Sequence, residues 1–354
     1  MAGALVYPLS SEPGLGDGSV VEVAPGVLWL RMPLPGPLKW INVWAIADQG
    51  GWSIVDTGLN SEATERGWQA AFQGALDGKP VRRVLVTHMH PDHSGMAGWI
   101  VERFGVELWM SRLEYLMCRL MAADTGREAP KVGLTFFRGT GWDEEALDKY
   151  RRRFGSFGKA ITPLPDSYRR LSNDDIVRIG AHDWRVVVGN GHSPEHACLY
   201  CKDLGVMISG DQVLPRITSN VSVFPTEPNA NPLHDWLTSL ADVRNRVPND
   251  VLVLPAHNTP FVGLHERIGE LIDSHRRGLS RLGEMLVEPK RVIDVFPALF
   301  NRPITSELLG MATGEAMAHL NYLLEERRIT RAPDESGVWW WRIIATSAES
   351  DSAL

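Results

Sequence analysis

A short segment of the chain concentrates side chains that bind metal ions. Residues 87–93 read Thr-His-Met-His-Pro-Asp-His, whereas the whole chain of 354 residues has only 11 histidines. Alternate residues of an extended loop point in the same direction. His88 and His90 can therefore hold one ion, while Asp92 and His93 address a second ion beside it. The segment predicts a site for metal ions.

Three more candidate ligands follow apolar segments that are typical of buried strands. His192 comes after residues 184–188, Asp211 after residues 205–209, and His257 after residues 251–254. Asp56 follows a similar segment. Loops that leave the same edge of a sheet converge, so we expect these side chains to lie at one rim. The mixture of imidazole and carboxylate is typical of zinc sites and also suits iron and manganese.

The order of these segments resembles the metallo-β-lactamase superfamily. The resemblance extends over about residues 20–261 and rests on five segments: 55–58, 88–93, 191–196, 209–211 and 255–257. It implies an α/β protein with the αβ/βα sandwich of that superfamily, with the metal ions at one edge of the paired sheets.

The resemblance also implies a role for each candidate ligand. It assigns three ligands to each of two ions and one ligand to both: His88, His90 and His192 to the first ion, Asp92, His93 and His257 to the second, and Asp211 as the bridge. Asp56 and His196 would orient these ligands through hydrogen bonds without binding metal. Two divalent ions are expected, zinc in the first place and iron or manganese as alternatives.

The seven-ligand pattern resembles glyoxalase II more than the antibiotic-degrading zinc lactamases, where a cysteine commonly replaces the bridging aspartate. It implies that a hydroxide between the two ions attacks the ester or thioester carbonyl of a small acyl substrate, with Asp92 as the catalytic residue that orients it. Lactones, lactams and phosphodiesters remain alternatives. The substrate stays open because Glu195 stands where glyoxalase II commonly has glycine, and because 99 positions separate His93 from His192.

Two other functions remain open. An iron oxidoreductase similar to persulfide dioxygenases would use similar ligands on the same fold, and imidazole and carboxylate ligands do not separate zinc from iron. A nuclease or regulator would read nucleic acid through the C-terminal region. Residues 288–343 carry seven basic and eight acidic residues, and the formal charge of the chain is −7, so the charge balance disfavours a surface that binds phosphates.

The segments around the motifs alternate between strand and helix patterns. The predicted strands are residues 27–31, 41–47, 52–55, 81–86, 184–188, 206–209 and 251–254, and the predicted helices are 61–76, 94–104 and 233–246. Residues 110–170 break the alternation with two helical segments, 112–123 and 144–157, and read as a helical insertion.

The C-terminal part has a different order. A long helix at 265–287 precedes three short helices and two strands, 328–332 and 338–343, which is the order of a winged helix. We therefore predict four segments: an N-terminal arm at 1–19 that is loosely held, a metallo-β-lactamase domain at 20–264 that includes the insertion, a long helix with a small winged-helix-like domain at 265–345, and a polar tail at 346–354.

Composition limits the cellular setting. With 44% hydrophobic and 22% charged residues, the chain has no run near the roughly 20 apolar residues that span a bilayer. Its N-terminus lacks the pattern of a secretory signal, and three cysteines supply no disulfide framework. We expect a cytoplasmic protein that binds no membrane. The sequence leaves open whether it forms a homodimer.

Overall fold

The computed structural model describes residues 4–344, so the predicted polar tail lies outside the described residues. The chain forms two compact units. The first contains the residues up to Glu128 together with Arg153–Ser219 and Trp236–Leu271, and the second contains Ala129–Arg152, Asn220–Asp235 and the chain from Ile272 onward.

The first unit contains a seven-stranded sheet, in which neighbours in space are also neighbours in sequence. The first four strands pair antiparallel, and the fourth to seventh pair parallel. The strands are β1 (Val21–Ala24), β2 (Val27–Pro33), β3 (Trp40–Asp48), β4 (Gly51–Val55), β5 (Val81–Leu85), β6 (Glu107–Ser111) and β7 (Arg169–Leu171).

A second sheet of five strands completes the first unit, in the order β12-β11-β10-β9-β8. Only its β11–β12 pair is parallel. The strands are β8 (Ile176–Ile179), β9 (His182–Gly189), β10 (His196–Cys201), β11 (Val206–Gly210) and β12 (Leu252–Pro255).

The helices follow in chain order. They are α1 (Glu62–Gln73), α2 (Pro91–Ser94), α3 (Ala97–Phe104), α4 (Arg112–Ala123), α5 (Lys131–Gly139), α6 (Glu144–Arg153), α7 (Pro232–Arg246), α8 (Leu264–Met285), α9 (Phe296–Leu299) and α10 (Leu309–Glu325). None of the helices among residues 4–344 combines the length and the apolar character needed to cross a bilayer.

Side chains alternate between two apolar layers of the first unit. Leu30 and Val84 point to one face of the large sheet and pack in the cluster that contains Trp68 of α1. Trp29 and Leu85, one residue away from them, point to the other face. The period of two along a strand therefore places one layer between helices and sheet and another between the two sheets. This layering is the sandwich that the sequence predicts.

Two local predictions need correction. The residue types at 131–139 carry no helical signal, yet the structure has α5 there; two glycines and two β-branched residues weaken its helix propensity. Burial of Phe136 and Phe137 stabilises it instead.

The N-terminal arm is anchored rather than loosely held. The backbone of Val6 pairs with that of Val262, and Glu12 accepts hydrogen bonds from Arg31 at 2.7 Å and Thr259 at 3.0 Å. Glycine and proline content predicts irregular backbone, but it does not report such long-range contacts.

The second unit contains α5, α9, α10 and a two-stranded antiparallel sheet, β13 (Ile329–Pro333) and β14 (Trp339–Ile343). Both strands lie where the sequence predicts them. His275 and His319 form a buried contact in this unit, with Nδ1 of His275 at 3.2 Å from Nε2 of His319.

Candidate metal centre

Four loops of the first unit bring all seven candidate ligands together. Each loop follows one strand, namely β5, β9, β11 or β12. The side chains form two groups, and within each group the nitrogen and oxygen atoms lie within 4.8 Å of one another: a first group of His88, His90, His192 and Asp211, and a second group of Asp92, His93 and His257.

The loop after β5 changes from extended chain to helix within the motif. Pro91 occupies the first position of α2, where its fixed φ suits a helix and its missing N–H costs no hydrogen bond. His88 and His90 therefore lie before the helix, whereas Asp92 and His93 lie on the first turn of α2. This break directs the two halves of the motif to different groups.

Within the first group, the imidazole nitrogens face one another. Nε2 of His88 lies 2.9 Å from Nδ1 of His90 and 3.3 Å from Nε2 of His192. Asp211 Oδ2 lies 3.4 Å from Nε2 of His192 and 4.0 Å from Nε2 of His88. Ligand atoms around one tetrahedral zinc ion are separated by roughly 3.3 Å, given bonds of about 2.0 Å.

The second group adjoins the first through Asp211. Nε2 of His257 lies 3.3 Å from Asp92 Oδ2 and 3.5 Å from Asp211 Oδ1. Nε2 of His93 lies 3.8 Å from Asp92 Oδ2 and 3.6 Å from Asp211 Oδ2. Oδ2 of Asp211 therefore borders both groups and Oδ1 borders the second, so the carboxylate lies where a bridging ligand is required.

The residues fit divalent cations. Nδ1 of His93 donates a hydrogen bond to Asp56, and Nδ1 of His257 faces the backbone carbonyl of Trp40 at 3.2 Å, which leaves both Nε2 atoms directed at the centre. Among residues 4–344, neither Nε2 of His93 nor Oδ1 of Asp211 has a hydrogen-bond partner, although both atoms are buried. Lone pairs that converge in a buried site need cations or protons between them.

Asp56 supports the second group from the end of β4. Its Oδ2 accepts the bond from His93 Nδ1 at 2.7 Å, and its Oδ1 accepts one from the backbone N–H of Thr87 at 2.8 Å. The Thr87 hydroxyl donates to Asp56 at 2.9 Å and lies 3.1 Å from Nδ1 of His88. Asp56 has φ of +60°, a conformation that non-glycine residues seldom adopt. Such strain is common at functional sites.

His196 contacts the loop that carries Asp211. Its Nε2 accepts a hydrogen bond from the backbone N–H of Asp211 at 3.0 Å. Gly210 precedes Asp211 with φ of +49°, and a Cβ atom there would lie 2.5 Å from the same nitrogen. Only glycine fits between the His196 ring and the backbone.

Two of the seven candidate ligands remain partly exposed. His88, His93, His192, Asp211 and His257 are buried, whereas His90 is partly exposed and the side chain of Asp92 keeps 22% of its surface exposed. His90 and Asp92 therefore mark the accessible side of the centre.

The surroundings shift the pKa values of the histidines in opposite directions. Burial, with neighbouring imidazoles, lowers the pKa of His88 well below its usual value and lowers that of His90 to about 3. Burial also opposes the charge of His93 and His257, but nearby carboxylates outweigh it and raise the pKa of both residues. Without metal, His93 and His257 therefore retain their protons to a higher pH than an ordinary histidine, and these protons compete with a cation.

Two supporting groups carry no signal in the sequence. The Trp40 carbonyl that faces His257 belongs to the backbone, so no residue type indicates it. Glu114 on α4 accepts hydrogen bonds from the backbone of Met89 and Glu195, beside the ligand loops. The pairing of Glu114 with Glu195 spans 81 positions, beyond the reach of a local pattern.

The comparisons with known proteins agree with this geometry. Residues 41–257 match the metallo-beta-lactamase superfamily, and residues 279–344 match the metallo-beta-lactamase-like C-terminal domain. Among curated proteins, the chain is 24% identical to the probable metallo-hydrolase YqjP of Bacillus subtilis over 316 residues, which cover 86% of this chain and 94% of that protein.

Two solved structures are similar over nearly the whole chain. A beta-lactamase domain protein from Burkholderia ambifaria is 42% identical, with a TM-score of 0.88 over 96% of this chain and 98% of that one. A metallo-beta-lactamase family protein from Thermus thermophilus is 26% identical, with a TM-score of 0.76 over 91% of this chain and 100% of that one. The predicted fold is confirmed, and the chain belongs to the metallo-beta-lactamase superfamily.

Proposed function

We propose that this protein is a hydrolase that uses two divalent metal ions, zinc in the first place, to cleave an ester or thioester bond of a small acyl substrate. The observation that carries the proposal is the position of Asp211, whose carboxylate group borders both groups of candidate ligands. The relative in Bacillus subtilis is named a probable metallo-hydrolase, which supports the same class of reaction.

Each group would hold one ion, with Asp211 between the ions. Two such ions lower the pKa of a water molecule that they bind and polarise a carbonyl group, so no serine or cysteine nucleophile is needed. The chain's own residues supply position and charge. The rings of His93 and His257 are held at Nδ1, which keeps the site formed before substrate arrives.

Asp92 is the proposed catalytic residue. Burial raises the pKa of its carboxyl group, but His93 and His257 outweigh this effect and lower it, so the carboxylate is ionised at neutral pH. Its partly exposed side chain lies on the open side of the centre. Asp92 can therefore accept a proton from the attacking water and return it to the leaving group.

A substrate panel tests the proposal. We expect the wild-type protein to hydrolyse an ester or thioester in a panel that also contains lactones, lactams and phosphodiesters. His90→Ala removes one ligand of the first group and should abolish hydrolysis. His234→Ala changes an exposed histidine outside both groups and should leave the rate unchanged.

The pattern of activity decides the outcome. Hydrolysis that survives in His90→Ala would contradict the proposal. Bound metal without hydrolysis of any substrate in the panel would favour the oxidoreductase alternative.

A further inference from the structure

The first turn of α4 carries the sequence of a capping box that the structure does not form. Ser111 is the N-cap residue and Glu114 follows three positions later. In a capping box, the serine oxygen accepts from the backbone N–H of the glutamate, and the carboxylate accepts from the backbone N–H of the serine. Within the described residues, Ser111 makes no side-chain cap. Its hydroxyl donates instead to the carbonyl oxygen of Glu195, at 2.7 Å.

The Glu114 carboxylate is also turned away from its own helix. The residue is fully buried, with 0% of its surface exposed. One oxygen accepts a hydrogen bond from the backbone N–H of Met89 at 2.9 Å, and the other accepts one from the backbone N–H of Glu195 at 2.7 Å. Met89 lies between His88 and His90, and Glu195 lies three residues after His192. One carboxylate therefore ties the two loops that supply the three histidines of the first group.

Glu195 provides the cap that Ser111 does not. Its Oε2 accepts a hydrogen bond from the backbone N–H of Leu113 at 2.8 Å, in the first turn of α4. Hydrogen bonds therefore connect the helix and this loop in both directions. Ser111 and Glu114 of α4 bind the backbone of Glu195, and the Glu195 side chain binds the backbone of α4. Glycine at this position, which is common in glyoxalase II, could not make the bond to Leu113.

This arrangement places a carboxylate away from water. Burial raises the pKa of Glu114, since a carboxylate without water is penalised. The side chain nevertheless makes its hydrogen bonds to two distant loops and not to its own helix end. Local rules are broken mainly where function requires it, so the long-range bonds of Glu114 point to the metal centre.

We propose that Glu114 is a positioning residue of the metal centre: its carboxylate fixes the spacing between the loop of His88 and His90 and the loop of His192. It touches neither metal nor substrate in this role. The inference rests on the proposed metal site. Asp56 plays the matching part for the second group through His93 and Thr87. Two buried carboxylates thus support the centre: Glu114 ties the loops of the first group, and Asp56 binds His93 of the second group directly.

The variant Glu114→Gln tests whether the carboxylate of Glu114 positions the ligand loops or whether the side chain only fills space in the core. Glutamine has the same shape, but it offers one oxygen where the two backbone N–H groups need two acceptors. Its NH₂ group would face a donor and leave one N–H unsatisfied. Glu315→Gln is the matched control, because Glu315 is a partly buried carboxyl on α10 of the second unit whose pKa burial also raises.

The experiment measures Zn²⁺ affinity by competition with a chromogenic chelator, using full-length protein that has been stripped of metal. We expect Glu114→Gln to weaken the binding of one ion by about 10- to 100-fold, the usual effect of losing a partner that orients ligands. Binding of the other ion should change little. Glu315→Gln should bind both ions like the wild type. The Co²⁺ absorption spectrum of Glu114→Gln should change for one ion only.

Equal affinities of wild type and Glu114→Gln for both ions would overturn the inference and leave Glu114 a purely structural role. If Glu114→Gln does not fold, Glu114→Asp takes its place. Aspartate keeps the charge but is too short to reach both N–H groups. The binding of one ion should therefore weaken as it does in Glu114→Gln. Wild-type affinity for both ions would again overturn the inference. Because no substrate is present, these results are independent of hydrolysis. A wild-type protein that binds no metal would instead overturn the proposed function.

Discussion

At the scale of residues, protons on two histidines of the metal-free centre compete with metal ions. His93 and His257 have raised pKa values because carboxylates outweigh the effect of burial, so both retain protons to a higher pH than an ordinary histidine. Metal ions bind only the neutral imidazole. Occupation of the centre therefore has to release protons from these two residues.

The raised pKa values of His93 and His257 determine how metal binding depends on pH. As pH falls, protons compete more strongly for His93 and His257, so the affinity for Zn²⁺ should decrease and should rise again towards higher pH. Titration of the metal-free protein with Zn²⁺ in a weakly buffered indicator solution should show proton release. An affinity that stays constant between about pH 6 and about pH 8, near the usual pKa of histidine, would contradict the assignment.

The sequence could predict the candidate ligands but not all of their supports. The ligands follow apolar strands, and four of them fall within residues 88–93, so both periodicity and residue type indicate them. Glu114 could not be found in this way. The local pattern of Ser111 and Glu114 predicts a capping box, and only the fold shows that both side chains bind Glu195 instead.

At the scale of elements, the turn after β4 connects three parts of the site. Asp56 lies at the end of β4, holds the backbone of Thr87 after β5, and binds His93 on α2. The hydrogen bond between Thr57 N and the carbonyl of His93 at 2.8 Å adds a second link. The position of α2 therefore depends on a turn that is distant in sequence.

Asp56→Asn tests this dependence. Asparagine tolerates the left-handed backbone at this position, so we expect little change in stability from backbone strain. It has one oxygen in place of two, so it cannot accept both from Thr87 N and from His93 Nδ1. Binding of one Zn²⁺ should weaken by about 10- to 100-fold, measured by chelator competition. Wild-type affinity for both ions would show that Asp56 does not orient His93.

Sequence patterns predicted the strands that precede the candidate ligands and missed other elements, among them β7 and α5, for a physical reason. Strand β4 is buried along its whole length, and helix α1 buries Trp68, Ala71 and Phe72 at helical spacing, so each carries its own signal. Strand β7 has only three residues and helix α5 has weak helix formers, so their stability comes from contacts distant in sequence.

At the scale of the whole molecule, the second unit contains a partly buried carboxyl group with a shifted pKa, that of Glu315. Burial raises the pKa of Glu315 to about 7, against the lowering effect of the hydrogen bond from Asn220 at 2.9 Å. The folded state thus keeps its proton up to a higher pH than the unfolded state, whose carboxyl ionises near its usual value of 4.5. Folding is favoured at low pH by this group and penalised as pH rises through that window.

Glu315→Gln should remove this penalty. The free energy of unfolding of the wild type should fall relative to the variant as pH rises from 4.5 to about 7, by at most about 3.5 kcal/mol, since one pKa unit corresponds to about 1.4 kcal/mol. Denaturant unfolding of both proteins across this range measures the difference. A difference that does not change with pH would contradict the partly buried, protonated state of Glu315.

The central claim is that the two groups of side chains hold two metal ions, and metal content tests it most directly. Because the proposed function requires two ions, we expect elemental analysis of the wild-type protein, purified without added metal, to give about two zinc ions per chain. His90→Ala, analysed in the same way, should contain less metal, whereas His234→Ala should match the wild type. Iron in place of zinc would move the protein to the oxidoreductase alternative, and a wild type without bound metal would contradict the account.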